Sequence, residues 1–268
     1  MVRFMALGSG SCGNAYLLMT DGDNLMIDAG IGIRHLKKHF TNHQMKITSL
    51  QRILITHDHA DHVKSVGYLS TELEIPVYAT KSVHEGIYKN YCVKKKVPMD
   101  KQISIEKDET IQLGDFKVTP FHVPHDSLDN VGYTIEVEGI VFTIVTDCGH
   151  VTDRIAEAIG KSNYLVLEAN HDNEMLAKGP YPPFLKVRVA SNTGHLSNTQ
   201  CAEALVNHAT PELRHVWLCH LSEHNNHPEL VRKTIEEELR QHGIIAGADF
   251  MVDVLKRKQP SEIFKLTK

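Results

Sequence analysis

Three imidazoles and two carboxylates fall within six residues in Thr56-His57-Asp58-His59-Ala60-Asp61-His62, directly after the apolar run Ile53-Leu54-Ile55. Imidazole and carboxylate are donors that hold zinc, manganese or iron, whereas a closed structural zinc is usually built on cysteine pairs. The chain has no Cys-x-x-Cys. A strand that ends in this turn and feeds a helix presents His57 and His59 to one ion, and Asp61 and His62 to a second. Two such ions clamp a phosphate or carbonyl oxygen and hold a bridging water as hydroxide, the nucleophile of a hydrolase. Asp58, between the first two histidines, is a candidate acceptor or proton carrier for that hydroxide.

Six residues cannot complete two coordination shells, so other strand ends must contribute. Asp28 closes Leu25-Met26-Ile27, Asp147 closes Phe142-Thr143-Ile144-Val145-Thr146, and His220 closes Val216-Trp217-Leu218-Cys219. A carboxylate at Asp147 is well placed to bridge two cations. The third histidine of the first ion comes from Phe121-His122-Val123-Pro124-His125-Asp126. Pro124 ends the strand and lifts His125 onto the loop above it, which favours His125, with His122 as the alternative. Cys148 and Cys219 adjoin two of these ligands, but neighbouring side chains on a strand point to opposite faces, so both are read as core thiols. His35, His39, His43, His84, His208 and His242 have no partner at ligand spacing and are read as surface or core residues.

The elements that must carry these residues follow from hydrophobic period and punctuation. Strands are expected over 2–7, 14–19, 24–28 and 52–56 and dominate the first third, with hairpins at Gly22, Gly114-Asp115 and Glu138-Gly139. Thr152 caps a helix through Ile155, Ala158 and Ile159 that stops at Gly160. Ser197-Asn198-Thr199-Gln200 is a capping box opening the helix of Ala202 and Leu205. The last helix opens at Pro228, places Val231, Ile235 and Leu239 on one face, and stops near Gly243. No repeat or linker interrupts the chain. This predicts one α/β domain over 1–268, two mixed sheets packed face to face with helices outside.

At 268 residues and 41% apolar the chain can bury a large core. Its five cysteines are an odd number without disulfide-like spacing, which suggests a reducing cytoplasm. No apolar stretch reaches the ~18 residues of a membrane span. The net charge of −4 counts against a protein that coats nucleic acid, though an enzyme needs only local cations. Lys94-Lys95-Lys96 and Lys256-Arg257-Lys258 could supply them; the bland reading is two solvated loops.

The set Asp28, His57-x-His59-x-Asp61-His62, His125, Asp147 and His220 resembles the metallo-β-lactamase superfamily nearly end to end. The resemblance implies a four-layer αββα sandwich, with His57, His59 and His125 on one ion, Asp61, His62 and His220 on the other, and Asp147 bridging. His62 points toward the dinuclear hydrolases, and His59 stands where the flavodiiron oxygen reductases carry a glutamate, which disfavours redox chemistry. Leu165-Val166-Leu167-Glu168-Ala169 and Gly194-His195-Leu196-Ser197-Asn198 resemble the segments of the tRNA 3′-processing ribonucleases in which a glutamate–histidine pair assists leaving-group departure. Within the superfamily the chain is most similar to the YycJ (WalJ) group, in Gly8-Ser9-Gly10-Ser11-Cys12-Gly13-Asn14, Glu168-Ala169-Asn170-His171-Asp172, Gly194-His195-Leu196-Ser197-Asn198 and His220-Leu221-Ser222. That group is regarded as metal-dependent 5′-to-3′ exonucleases acting on double-stranded DNA.

The interval from Asp147 to His220 is too short for a β-CASP insertion. The resemblance thus implies two divalent ions, zinc or manganese with iron possible, and a nucleic acid substrate, DNA before RNA. Asp58, Asp61, Glu168 and His195 are the expected catalytic residues, and Ser11, Asn14, Asn170 and His171 the expected substrate contacts. The alternative is a small-molecule hydrolase, a cyclic phosphodiesterase or a glyoxalase II-like thioesterase, using the same ligands.

Overall fold

The computed structural model describes residues 1–268. Strands form where β-branched and aliphatic residues run: β1 (Val2–Gly8), β2 (Ala15–Met19), β3 (Asn24–Ile27), β4 (Arg52–Leu54), β5 (Val77–Ala79) and β6 (Gln102–Ser104). With β14 (Phe264–Leu266) they make a seven-stranded sheet of order β14-β1-β2-β3-β4-β5-β6. A second seven-stranded sheet, of order β13-β12-β11-β10-β9-β8-β7, is made by β7 (Ile111–Leu113), β8 (Phe116–His122), β9 (Val131–Val137), β10 (Ile140–Val145), β11 (Tyr164–Glu168), β12 (His215–Cys219) and β13 (Met251–Val254). Each sheet is mixed. Antiparallel hairpins β1–β2–β3, β7–β8 and β9–β10 are joined to the parallel runs β3–β4–β5–β6 and β10–β11–β12–β13.

Parallel neighbours need crossovers, and helices supply them. In the first sheet these are α1 (Ile33–Asn42), α2 (Ala60–Val63), α3 (Val66–Leu73) and α4 (Lys81–Lys89). In the second they are α5 (Asp153–Lys161), α6 (Asn173–Lys178), α7 (Pro183–Val189), α8 (Asn198–His208) and α9 (Pro228–Gln241). The first third thus holds more helix than strand, contrary to the strand-dominated expectation. In α1 only Leu36 and Phe40 are buried, too thin a stripe to read as a period.

The punctuated elements formed as read. Thr152 Oγ1 accepts from the Ile155 amide, although α5 runs through Gly160 to Lys161. Both arms of the Ser197–Gln200 capping box are made. Pro228 opens α9, which buries Val231, Ile235 and Leu239.

Residues 1–120, 127–131 and 256–268 form one compact unit, and residues 121–126 and 132–255 a second. In the first, alternate strand residues Met5, Leu7, Leu17, Met19, Ile53 and Ile55 meet Leu36, Phe40, Val66, Leu69 and Val83 of the helices in one buried cluster. In the second, Val145, Leu165, Leu167, Val216 and Leu218 meet Ile155, Ile159, Leu205, Val231 and Ile235. Each such side chain contributes roughly 1.5–3 kcal/mol on burial, which fixes the strand ends where chemistry is expected. Asp28, the histidine run, Asp147, Glu168 and His220 all stand at the carboxyl ends of parallel strands, the edge of an α/β sheet where ligands bind.

Candidate metal centre

In the first unit the chain leaves β3 at Asp28, in the left-handed conformation at φ 59°, and its buried carboxylate receives three groups. Oδ1 accepts from the Thr56 amide at 2.9 Å, Thr56 Oγ1 lies 3.0 Å from Oδ2, and His62 Nδ1 stands 2.7 Å from Oδ2. His59 is the N-cap of α2, and Asp61 and His62 follow in its single turn, as the strand-to-helix reading expected. Donor atoms of His57 lie within 4.8 Å of donors on His59 and on His62, and those of Asp61 within 4.8 Å of His62. Backbone bonds strap this loop down: Ala29 N–H donates to His62 O at 2.7 Å, and Asn14 N–H to Asp61 O at 2.8 Å. A Cβ on Gly30 would stand 1.6 Å from Asp61 O, so only glycine admits this approach.

In the second unit Asp147 and His220 leave β10 and β12 in the same left-handed conformation, at φ 54° and 53°. Strain of about 1–3 kcal/mol at such residues persists where the surroundings over-determine it, commonly at functional sites. Donor atoms of Asp147, Glu168, His195 and His220 all lie within 4.8 Å of one another. Glu168 is wholly buried at the end of β11. Its Oε1 lies 2.8 Å from His195 Nδ1 and 3.0 Å from His220 Nδ1, and its Oε2 accepts from the Cys148 and Leu196 amides at 2.8 and 3.2 Å. Burial pushes the Glu168 carboxyl up, but the charge and hydrogen bond of His195 and the hydrogen bond of His220 outweigh it and hold it at about 2. Burial pushes the His195 ring down, but Glu168 outweighs it and raises the ring above its ordinary value. His125 Nδ1 lies 3.0 Å from Gly194 O, and its Nε2 3.8 Å from Asp147 Oδ1.

The donor set fits divalent metal. Carboxylate and carbonyl oxygens only accept, so Nδ1 of His62, His125 and His220 carries the proton and Nε2 is the unprotonated nitrogen; that of His62 accepts from Asn14 Nδ2 at 2.9 Å, a bond that a metal taking the lone pair would replace. Thr56 Oγ1 has acceptors at both Asp28 oxygens and lies 3.0 Å from His57 Nδ1; it spends its single proton on Asp28 and accepts from His57. An outer partner that fixes the imidazole tautomer in this way is the usual support of a metal-ligating histidine.

The other expected residues are placed differently. Ser11 is exposed in the turn after β1. Asn14 is fully buried and braces the histidine loop, its Nδ2 2.9 Å from His62 Nε2 and 3.4 Å from Asp61 Oδ2. Asn170 Nδ2 donates to His220 O at 2.9 Å. His171 is 1% exposed, and burial lowers its pKa to about 4. Asn14, Asn170 and His171 are all buried. Asp58 packs over Gly86 of α4, where a Cβ would stand 2.3 Å from Oδ2. His122 is exposed at the end of β8. Cys148 and Cys219 are wholly buried, and burial raises both thiols well above their ordinary value. Thr56, beside the motif, escaped the sequence reading. So did Asn226, whose buried amide donates to Ala169 O at 2.9 Å and Asn170 O at 3.1 Å and carries no local signal.

Buried histidines steadied by carboxylates at the strand ends of an α/β scaffold are the makings of a metal-binding hydrolase. A model of the beta-lactamase superfamily domain matches residues 23–221, and the chain belongs to that superfamily. It is 32% identical to exodeoxyribonuclease YycJ of Bacillus anthracis over 98% of both chains. To exodeoxyribonuclease WalJ of Streptococcus pneumoniae it is 33% identical over 93% of both. The metallo-beta-lactamase fold protein YhfI of Bacillus subtilis superposes with a TM-score of 0.72 at 16% identity over 98% of both chains. Zinc-bound PqqB of Methylobacterium extorquens superposes with a TM-score of 0.71 at 18% identity, over 98% of this chain and all of that one. The expected fold, two mixed sheets flanked by helices, is the one found.

Proposed function

We infer that this chain is a metal-dependent exodeoxyribonuclease acting 5′ to 3′ on double-stranded DNA. The observation that carries the reading is the 2.8 Å contact between buried Glu168 and His195 beside Asp147 and His220, in a chain similar along nearly its whole length to YycJ and WalJ. Two divalent ions, zinc or manganese, are proposed, with His57, His59, Asp61 and His62 as ligands from the first unit and His125, Asp147 and His220 as ligands from the second. When bound, they would supply Lewis acidity at the phosphate and an activated water. Glu168 orients His195 and stabilises its charge, and His195 donates a proton to the departing sugar oxygen. Asn14, Asn170 and His171 act as braces of that machinery. The odd count of five cysteines, without disulfide-like spacing, supports a reducing, cytoplasmic setting.

The test is release of nucleotides from end-labelled linear duplex in manganese, with chelator and with Asp147→Ala as controls. Loss of bound metal and of nucleotide release in Asp147→Ala is expected. Hydrolysis of thioesters or cyclic nucleotides by a protein that leaves the duplex intact would overturn the reading.

A further inference from the structure

Within the first unit, two adjoining cavities of about 290 and 640 Å³ share Gly32, His35 and Lys64. Their walls carry Arg34, Lys64, Lys94, Lys95, Arg257 and Lys258, and neither cavity is lined by a single aspartate or glutamate. In a chain with 33 acidic residues against 29 lysines and arginines, such segregation of charge is a recognition feature. Both basic runs noted in the sequence therefore face one surface, although they lie far apart in the chain.

The surface is held in place. Ser9 N–H donates to Lys256 O at 3.1 Å, and Ser261 N–H to Ala6 O at 2.8 Å, which fastens Arg257 and Lys258 beside the Gly8–Gly13 turn. Lys64 follows His62 by two residues at the end of α2, and Gly13 precedes the Asn14 that braces Asp61. One end of the surface thus adjoins the histidine loop. At the other end Tyr91 is 82% exposed. Tyr68 there lies under the ammonium groups of Lys37 and Lys95, at 5.0 and 5.2 Å from its ring, and Lys95 pairs with exposed Glu72. Cations interleaved with aromatic rings, in a groove whose lining carries no acid and whose Lys95 pairs with Glu72 at the edge, match a nucleic acid strand, its phosphates paired and its sugars or bases packed.

We propose that these cavities are the track that holds the phosphodiester backbone of the DNA beyond the phosphate being cleaved, a proposal that rests on the nuclease reading above. The test compares the metal-loaded wild type with the triple variant Arg34→Glu, Lys94→Glu, Arg257→Glu, the first two exposed and the third half-buried. Fluorescence anisotropy reads binding of a labelled duplex closed by hairpins at both ends, across 50 to 200 mM salt, and cleavage of the open duplex is followed in parallel. The variant should bind at least tenfold more weakly, raise KM on open duplex, and flatten the slope of log K against log salt by about 2–3, since each phosphate contact contributes about 0.9. Should the variant melt early, the glutamine triple at the same positions must show the flattened slope instead. Unchanged affinity and slope in a wild type that degrades open duplex overturn the track and leave the nuclease reading standing. A wild type that neither binds nor cleaves duplex overturns both. A shift in sedimentation with DNA binding intact overturns the track in favour of a second copy of the chain.

Discussion

His195 Nδ1 lies 2.8 Å from Oε1 of Glu168, a carboxylate with no exposure to solvent. The contact raises the ring's affinity for its proton, which is what a group that protonates a leaving oxygen requires. His195→Ala should slow cleavage of duplex DNA by about 10²- to 10⁴-fold with metal content retained. The loss should shrink on bis(p-nitrophenyl) phosphate, whose leaving group departs as a stable anion. Paired rate measurements and elemental analysis decide it: equal losses on both substrates exclude the acid role.

Asp28 holds His62 Nδ1 at 2.7 Å with both side chains wholly buried. Asp28→Asn leaves the shape but offers an amide that can donate, so the ring can turn its lone pair away from the loop. Metal affinity should fall about 10- to 100-fold, read by titration with a chromophoric chelator. An unaltered affinity would show that the loop alone fixes the ring.

Burial lowers the pKa of His171 from 6.5 to about 4. The unfolded chain therefore takes up a proton as pH falls below about 6.5 while the folded chain refuses it until about 4. The stability this neutral ring allows is full above pH 6.5 and declines toward pH 4, by on the order of 3 kcal/mol in total. In metal-free protein, the urea midpoint should fall more steeply between pH 7 and pH 4.5 in the wild type than in His171→Gln. Parallel slopes would remove His171 as the cause.

A Cβ at position 30 would meet the Asp61 carbonyl at 1.6 Å, so Gly30→Ala must displace the loop that carries Asp61 and His62. The melting temperature of the metal-loaded protein should drop by several degrees and metal should dissociate faster on dilution into chelator. Wild-type values for both would mean that the loop has slack.

Much of the fold and of the site was legible because the same punctuation marks both. Apolar runs that stop at Asp28, Asp147 and His220 announce strand ends, and His57-x-His59-x-Asp61-His62 lies where β4 turns into α2. What could not be read depends on pairs distant in the chain and on burial. Nothing local says that Glu168 serves His220 as well as His195, or that Asn14 and Asn170 face inward. A loop asparagine looks the same in sequence whether it greets a phosphate or a neighbouring carbonyl. Of the first third's helices only α2 was expected, from the histidine run; α1, α3 and α4 are crossovers of eight to ten residues, too short to show a clear period.

The pairing of β1 with β14 sets Val2 opposite Leu266. Closing so long a loop is entropically expensive and is rewarded only once the intervening strands have docked. Arg257 and Lys258 ride on the returning segment, so the proposed track depends on a strand pairing made across almost the whole length of the sequence.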